Sequence, residues 1–441
     1  MNSLHYGLTP KMKPLSPRRS ALVVALDIGT SKIACLIARL TPNAQGDVLR
    51  RRSHSVEVVG FSHTGARGMK SGAVVDLVDA EEAIRHAVDL AERAANVQVD
   101  AVLVSMSAGR ISSELIAASI PIRGAMVTEQ DVQRLVGASA ATSVKQGRVL
   151  LHTVPIGYSI DDATGIRDPR GMMGQRFGAD LHLVSADLAA CRNLMLTIER
   201  CHLDIEAMVA SPYVAALSTL AGDEADVGAA VIDLGAGTTT MAVFSNGRFV
   251  HADGFALGGN HVTLDLARGL SVNLYDSERI KTLYGSVLAG GVDERDMIAL
   301  PRAPGHEQEA PQFVARATLT QIVKPRIEEI LEMARDRLMA SPFAAEPRAR
   351  IILTGGGSLL SGMADLASRI LSRPISIGRP LGIAGLPDVA KSPAFAVAAG
   401  LLVYPQMAHL EHFEPRHTRH TFFTGHSGYI AKVGRWLRES F

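Results

Sequence analysis

Cysteine, tryptophan, long apolar runs and an excess of either charge are all scarce in this chain, and each scarcity removes a class of protein. Of 441 residues only three are cysteine. Cys35, Cys191 and Cys201 show no metal-ligand spacing, and Cys35 sits in an apolar run. That excludes a disulfide scaffold and fits reduced, structural residues of a cytosolic protein. No stretch reaches the roughly 18 apolar residues needed to cross a bilayer. The best, Ala394 to Tyr404, is bounded by Pro393 and Pro405 and reads as a buried helix whose small residues allow close packing. The first twenty residues are basic, with Pro10, Pro14 and Pro17, and the short apolar run after them ends at Asp27. Neither a signal peptide nor a membrane anchor is expected there. With Lys and Arg at 45 against Asp and Glu at 44, there is no global attraction to nucleic acid, and no such partner is expected. What remains is a soluble composition, 47% apolar and 20% charged, on a chain long enough for about two to four lobes.

Glycine, by contrast, is plentiful and placed. A motif occurs twice, as Asp27-Ile28-Gly29-Thr30-Ser31-Lys32 and as Asp233-Leu234-Gly235-Ala236-Gly237-Thr238-Thr239-Thr240. Each copy follows an apolar run (Ala21 to Leu26, Gly228 to Ile232) and precedes another (Ile33 to Ala38, Met241 to Phe244), the pattern of strand, tight turn, strand. Glycines let backbone N–H groups approach phosphate oxygens with no Cβ in the way, and the hydroxyls of Thr30, Ser31, Thr238 and Thr239 add donors. Asp27 and Asp233, at the strand ends, are hard oxygen ligands suited to a Mg²⁺ held mostly through water. Two such turns facing each other would clamp a phosphate. A third glycine run, Thr354-Gly355-Gly356-Gly357-Ser358, follows the apolar strand from Ile351 and precedes a helix expected over Leu359 to Leu371, where backbone could pass close to a flat or anionic ligand.

Between these motifs the periodicity predicts a strand over Val56 to Phe61 and a helix over Asp79 to Ala95, with Asp79 and Glu82 as its capping pair. From Val99 the pattern changes. Strands are expected over Ala101 to Met106, Ser112 to Ile120 and Val149 to Ile160, with a helix from the Thr128 cap to Ala140, together a compact insertion of about 80 residues. Leu181 to Ala186 then reads as strand and Asp187 to Cys201 as helix.

The order of first hairpin, second hairpin and T-G-G-G-S loop resembles the actin-like ATPase superfamily. The place of the insertion, with Arg67 to Leu77, Val149 to Pro155 and Gly165 to Met172, narrows the resemblance to the bacterial FtsA cell-division family, from about residue 21 to the end. It implies an α/β fold of two actin-like lobes around a nucleotide cleft, an inserted α+β lobe of 1C type and a C-terminal amphipathic helix. The implied layout is a disordered tail over 1–20, lobe 1A over 21–95 and 179–210, and lobe 1C over 96–178. Lobe 2A follows over 211–259 and 340–405, the latter with a return helix to lobe 1A, and lobe 2B over 260–339. A flexible linker spans 406–427 and the helix 428–441.

By the same resemblance ATP with Mg²⁺ is the cofactor. The Gly258-Gly259 turn closes near the phosphates, Glu278 accepts from ribose hydroxyls, Lys281 lies against the base, and Gly355, Gly356, Gly357 and Ser358 form the nucleotide loop. Shape-determining relatives carry a Glu-Pro pair before the second hairpin to position the attacking water. Here the stretch is Ala210-Ser211-Pro212-Tyr213, and Ser211 is no comparable base at neutral pH. ATP binding with slow hydrolysis at most is expected. The implied partners are the C-terminal peptide of FtsZ on lobe 2B, where Arg268, Arg279, Arg302, Arg316 and Lys324 could receive it, further copies of the chain in filaments, and other divisome proteins through lobe 1C. A PilM-like pilus-assembly protein and a small-molecule kinase of the same superfamily stay open as alternatives.

Beyond Pro405 the chain loses apolar periodicity. His409, His412, His417, His420 and His426 lack a carboxylate or thiolate cluster to complete a metal site, so the segment reads as a linker, with an end-to-end distance of roughly 25 Å. At about 100° per residue, Tyr429, Ile430, Val433, Trp436, Leu437 and Phe441 then fall on one face, and Lys432, Arg435, Arg438 and Glu439 on the other. A terminal amphipathic helix with Lys and Arg on its polar face reads as an anchor on anionic inner-membrane lipid.

Overall fold

The computed structural model describes residues 9–43, 52–108, 110–288, 295–301 and 312–411. The anchor expected over 428–441, most of the linker and Arg302 lie outside the described residues.

Strands Ala21–Ile28, Lys32–Pro42 and His54–Gly65 form an antiparallel run whose side chains are buried along nearly every position of the first two, as a sheet covered on both faces requires. Ala101–Met106 and Asp204–Ala210 then add in parallel on the other side of Ala21–Ile28, and Ile383–Ala384 closes the far edge. The second half repeats this plan. Ala229–Leu234, Thr239–Ser245 and Arg248–Phe255 are antiparallel, and Arg350–Thr354 and Ile375–Ile377 add in parallel beside Ala229–Leu234. Parallel neighbours cannot be joined by a tight turn, so each crossover is long and carries helices, such as Leu77–Ala95 between Ala21–Ile28 and Ala101–Met106.

One strand corrects the expected insertion. Ala101–Met106 is the parallel neighbour of Ala21–Ile28, pairing Ala25 with Leu103, so it belongs to the first sheet. The insertion proper runs through Ser112–Pro121, Glu129–Ser143, Arg148–Ile160, Ala163–Ile166 and Arg176–Asp187, and the expected end at 178 falls inside its last strand. Its core is separate, built on Val132, Leu135, Phe177 and Leu181. Its sheet is not separate: Ser112 pairs with Asp253, joining it to the second half in one nine-stranded sheet. Side chains reinforce that seam. The Ser113 hydroxyl accepts from Ala252 N–H at 2.8 Å, and His182 meets the Phe249 carbonyl at 2.9 Å.

Between the two main sheets lie two buried helices, Ser211–Thr219 and Ala396–Val403. The small residues of the second allow backbone-to-backbone contact. A Cβ on Gly400 would lie 1.8 Å from the Val214 carbonyl oxygen, and Ser218 donates to the Ala396 carbonyl at 2.7 Å. The buried helix expected over Ala394 to Tyr404 is therefore present in its central part.

Three further expectations are corrected. Asp76, not Asp79, caps the helix Leu77–Ala95, accepting from the N–H groups of Val78 and Asp79. The three glycines do not open a helix directly; Gly356–Leu359 is a single 3₁₀ turn and the α-helix starts at Met363. The segments expected to be loose at both ends are partly packed. Thr9 donates to the Leu150 carbonyl, Met208 N–H donates to the Pro10 carbonyl at 3.2 Å, and Met12 and Leu15 lie against the first core. Residues 404–411 continue the body as 3₁₀ turns, with Tyr404, Gln406, Ala408 and Glu411 buried.

Candidate nucleotide cleft

The two hairpin turns are built alike. Gly29 N–H donates to the Lys32 carbonyl at 2.9 Å, and Gly235 N–H to the Thr238 carbonyl at 3.0 Å. They face each other across a cavity of about 340 Å³, within the range of small-molecule sites. Its lining brings together most of the residues singled out from sequence: Asp27 and Gly29 to Lys32 from the first hairpin, Asp233 and Gly235 to Thr239 from the second, then Gly258, Gly259, Glu278, Lys281 and Gly355 to Gly357.

The hairpin tips touch. Thr30 Oγ1 accepts from Gly72 N–H at 2.9 Å, and a Cβ on Gly237 would stand 2.4 Å from that same oxygen and 2.9 Å from Ser71 Cα. Gly237 therefore lets the two halves approach each other as well as leaving room for a ligand. The Gly258-Gly259 turn lies on the second hairpin. Gly259 and Asn260 N–H donate to the carbonyls of Gly235 and Ala236 at 2.9 and 2.8 Å, so these two donors hold the hairpin. The Thr239 hydroxyl is likewise committed, to the Leu257 carbonyl. Ser358 is buried and donates to the Gly355 carbonyl at 2.7 Å. It shapes the glycine loop from behind and is not in the lining.

Glu278 and Lys281 do meet at the cleft. Lys281 Nζ donates to Glu278 at 2.6 Å, to Thr263 Oγ1 at 2.9 Å and to the Gly259 carbonyl at 3.1 Å. The pair thus braces the helices Gly259–Leu270 and Leu274–Tyr284 against each other at the rim.

Electrostatics concentrate on the two aspartates. Asp27 is buried and accepts from the Ser105 hydroxyl at 2.7 Å. Burial pushes its carboxyl up, while the Lys32 charge and the Ser105 hydrogen bond pull it back. Lys32 itself donates to the Ala394 carbonyl and lies 4.7 Å from the Phe395 ring centre. Asp233 is pushed up to about 7, first by burial and then by the facing charge of Asp27, with Lys32 opposing. Two confronted carboxylates relieved by the charge of one shared ammonium form an anionic pair that a divalent cation would neutralise. The Ser211 hydroxyl also reaches the cleft, and it is buried with no hydrogen-bond partner. A polar atom left so is paired in native proteins by water or ligand.

Ser105 and Ser107 were not singled out from sequence, yet they end the strand that corresponds to Arg350–Thr354 and its glycine loop. The duplication of the fold is the signal that would have found them. The apolar lining by Ile327, Ile330, Leu360 and Met363 carried no local signal at all, because a core stripe on the helix Arg316–Met339 looks the same.

Of the basic residues expected on the lobe after the second hairpin, Arg268 and Arg279 are exposed. Arg316 and Lys324 have acidic neighbours, Asp296 at 3.5 Å and Glu328 at 3.6 Å. Among the described residues no three His, Cys, Asp or Glu side chains group as a metal site, and no helix is long and apolar enough to cross a membrane.

Comparison with known proteins agrees with this geometry. The family model described as cell division protein FtsA matches residues 230–400, and that of the SHS2 domain inserted in FtsA matches 108–185. The chain is 47% identical over 439 residues to the cell division protein FtsA of Agrobacterium fabrum, covering 100% of this chain and 99% of that protein. To the same-named protein of Rhizobium meliloti it is 45% identical with the same coverage. To that of Escherichia coli it is 30% identical over 427 residues, covering 95% and 98%. Among solved structures it resembles the PilM-PilN type IV pilus biogenesis complex, with a TM-score of 0.58 at 16% identity over 87% of this chain and 98% of that one. It also resembles MreB5 of Spiroplasma citri bound to ADP, with a TM-score of 0.51 at 14% identity over 87% and 95%. At such identities the likeness is one of fold, and the fold is the actin-like α/β fold with an inserted SHS2 lobe.

Proposed function

This chain belongs to the FtsA family of cell-division proteins, and from that premise we propose that it binds ATP with Mg²⁺ in the cleft and polymerises. In this reading it ties the FtsZ ring to the cytoplasmic face of the inner membrane and recruits later division proteins through the inserted lobe. The observation that carries the nucleotide reading is the pair of matched hairpins whose aspartates, Asp27 and Asp233, confront each other beside the Gly258–Gly259 turn and the Gly355–Gly357 loop. Asp27 and Asp233 would hold the metal, largely through its water shell, and the metal would supply the positive charge that two carboxylates and a triphosphate together lack. Thr30, Ser31 and Thr238 would contribute hydroxyls, the glycine loop would admit the sugar and base, and Lys281 and Glu278 would set the rim.

The cleft holds no carboxylate in the place of Ser211. A neutral hydroxyl does not take a proton from water at pH 7, so turnover remains slow and the nucleotide acts by setting conformation or assembly. Binding of labelled ATP to the purified full chain tests this reading. Saturable, Mg²⁺-dependent binding that Gly237→Val abolishes is expected, and unchanged affinity in a folded Gly237→Val protein would remove the site.

Attachment to the membrane is assigned to residues 428–441, with Tyr429, Ile430, Val433, Trp436, Leu437 and Phe441 entering the acyl boundary and Lys432, Arg435 and Arg438 meeting anionic headgroups. One short helix binds reversibly, and filaments presenting many would bind by avidity. Because residues 404–411 are part of the body, the informative truncation ends at Glu411. Sedimentation with anionic vesicles should retain the full chain and lose both this truncation and Trp436→Glu. The FtsZ peptide is assigned to the lobe over 260–339, and joint charge reversal of Arg302 and Arg316 should weaken its binding and the salt dependence of that binding.

A further inference from the structure

Around the last described residues, four polar side chains from distant parts of the sequence are buried together. His152 comes from the inserted lobe, Glu411 and Tyr404 from the last described turns, and Lys11 from the N-terminal segment. His152 Nε2 accepts from the Ala210 backbone N–H at 2.9 Å, so that nitrogen carries no proton. The other, Nδ1–H, therefore donates to Glu411 Oε1 at 2.9 Å. Tyr404 O–H donates to the same oxygen at 3.0 Å, and Lys11 Nζ stands 3.8 Å from Oε2. Burial holds His152 below its usual range, consistent with a neutral ring. The ring packs edge-on against Tyr213 and Tyr404 at 5.2 and 6.0 Å between centres.

This cluster touches the cleft along two paths. Ala210, whose N–H holds His152, is followed directly by Ser211, whose unpartnered hydroxyl faces the cleft at the first turn of the helix Ser211–Thr219. The second helix, Ala396–Val403, starts at the cleft with Val397 in its lining and ends at Tyr404. The two helices are locked by the Gly400–Val214 approach and the Ser218–Ala396 hydrogen bond. A ligand that engages Ser211 acts one residue from the Ala210–His152 hydrogen bond, and one that displaces Val397 acts on a helix that runs to Tyr404, itself bonded to Glu411.

We propose that the His152–Glu411 contact is a latch through which occupancy of the cleft sets the order of residues 404–411, the last described residues of the chain. His152 is here a positioning residue with no contact to the ligand. The inference rests on the nucleotide reading above, and it adds that the two ends of the described chain are tied to the cleft by one buried polar cluster. A packed pair of helices ending in a buried cluster, in which one oxygen of Glu411 takes two hydrogen bonds and the other has only Lys11 at 3.8 Å, has discrete arrangements, which is what a coupled response requires.

Hydrogen exchange of the full chain, with and without saturating Mg–ATP, tests it, with ATP binding followed in parallel by a fluorescent ATP analogue. Amides of 404–411 should change their exchange rate by about tenfold on ATP addition. His152→Phe keeps the ring volume and removes both nitrogens, and Glu411→Gln keeps the shape and removes the charge facing Lys11. In both variants ATP should still saturate, while the change at 404–411 falls to less than about twofold. If His152→Phe fails to melt cooperatively, Glu411→Gln and Tyr404→Phe carry the comparison. Wild-type protein that saturates with ATP and leaves 404–411 unchanged, or variants that keep the full response, would overturn the latch and leave the nucleotide reading standing. Absence of any saturable ATP binding in wild type would overturn both.

Discussion

At the tip of the first hairpin Asp27 receives the Ser105 hydroxyl and is relieved by Lys32, whereas at the matching place in the second hairpin Asp233 has no such hydroxyl among the described residues and meets the raising charge of Asp27 before the relief of that same Lys32. Thr238 stands where Lys32 stands, by the correspondence of the Gly29–Lys32 and Gly235–Thr238 turn bonds. The place of Ser105, at the end of the neighbouring parallel strand, is taken by Thr354, whose hydroxyl donates to the Gly378 and Pro393 carbonyls instead, and at the next residue, Gly355, a Cβ would lie 2.3 Å from Asp233 Oδ1. A duplicated backbone has thus been given one carboxylate with a hydroxyl of its own and a cation, and one that shares that cation and has no hydroxyl until something enters the cleft. The lesson is that symmetry of fold fixes where the groups are, and the residues one strand away fix which of them is left waiting for a cation.

The strongest way to break this arrangement is to fill the gap beside Asp233. Gly355 has a φ of +80°, which disfavours any side chain, and its Cβ would collide with both the carboxylate and the Leu234 carbonyl. Gly355→Ala should cost about 3 kcal/mol or more of stability and remove nucleotide binding. A variant that melts and binds as wild type does would show that the loop is free to withdraw.

A smaller effect should come from the charge itself. The folded-state carboxyl of Asp233, at about 7, lies above its unfolded value, so between pH ~4 and ~7 the folded protein keeps a proton that the unfolded chain has released. Stability of the nucleotide-free protein should fall as pH rises through that window and level off above it. Asp233→Asn should remove the fall and raise stability at pH 8 by roughly 2 kcal/mol, a figure discounted for solvent access through the cleft. Asp27→Asn, with its hydroxyl and cation already in place, should gain less. Denaturant unfolding across pH, with and without Mg²⁺, measures both, and equal responses of the two variants would erase the asymmetry.

Deleting the compensation on the first side sharpens the comparison further. Ser105→Ala removes a buried hydrogen bond to a carboxylate and should cost about 1.5–2 kcal/mol, most visibly above neutral pH. Least of all should be the loss on removing the Asp76 cap of the helix Leu77–Ala95, about 1 kcal/mol for Asp76→Ala. Asp79→Ala should lose a few tenths at most. If the order of those two were reversed in urea melts, the cap would be misplaced.

The sequence made the hairpins, the glycine loop and most strands legible because each depends on neighbours a few residues away. Ala101–Met106 was seen as a strand but placed in the wrong sheet, since its partner Leu26 lies far back along the chain and nothing local records a parallel register. The joint between Ser112 and Asp253 failed to show for the same reason. Residues 406–411 read as linker because their burial rests on His152 and Lys11, and a single buried Glu among histidines has the composition of a loop. Asp79 looked like the cap because it precedes the apolar stripe, yet the backbone turns three residues earlier. Ser358 read as a ligand residue because a hydroxyl after three glycines fits that chemistry; only its burial shows that it props the loop.

The pairing of Ser112 with Ser185 has a consequence for how such a protein can be taken apart. The inserted lobe leaves and rejoins the main chain on adjacent antiparallel strands, so its two ends are separated by one strand spacing, about 5 Å. A two-residue turn spans that gap. In backbone path the lobe is therefore a cassette: a hairpin closes the gap left by residues 113–184, and what such an excision forfeits is the tie of Ser113, His152 and His182 to the rest of the body.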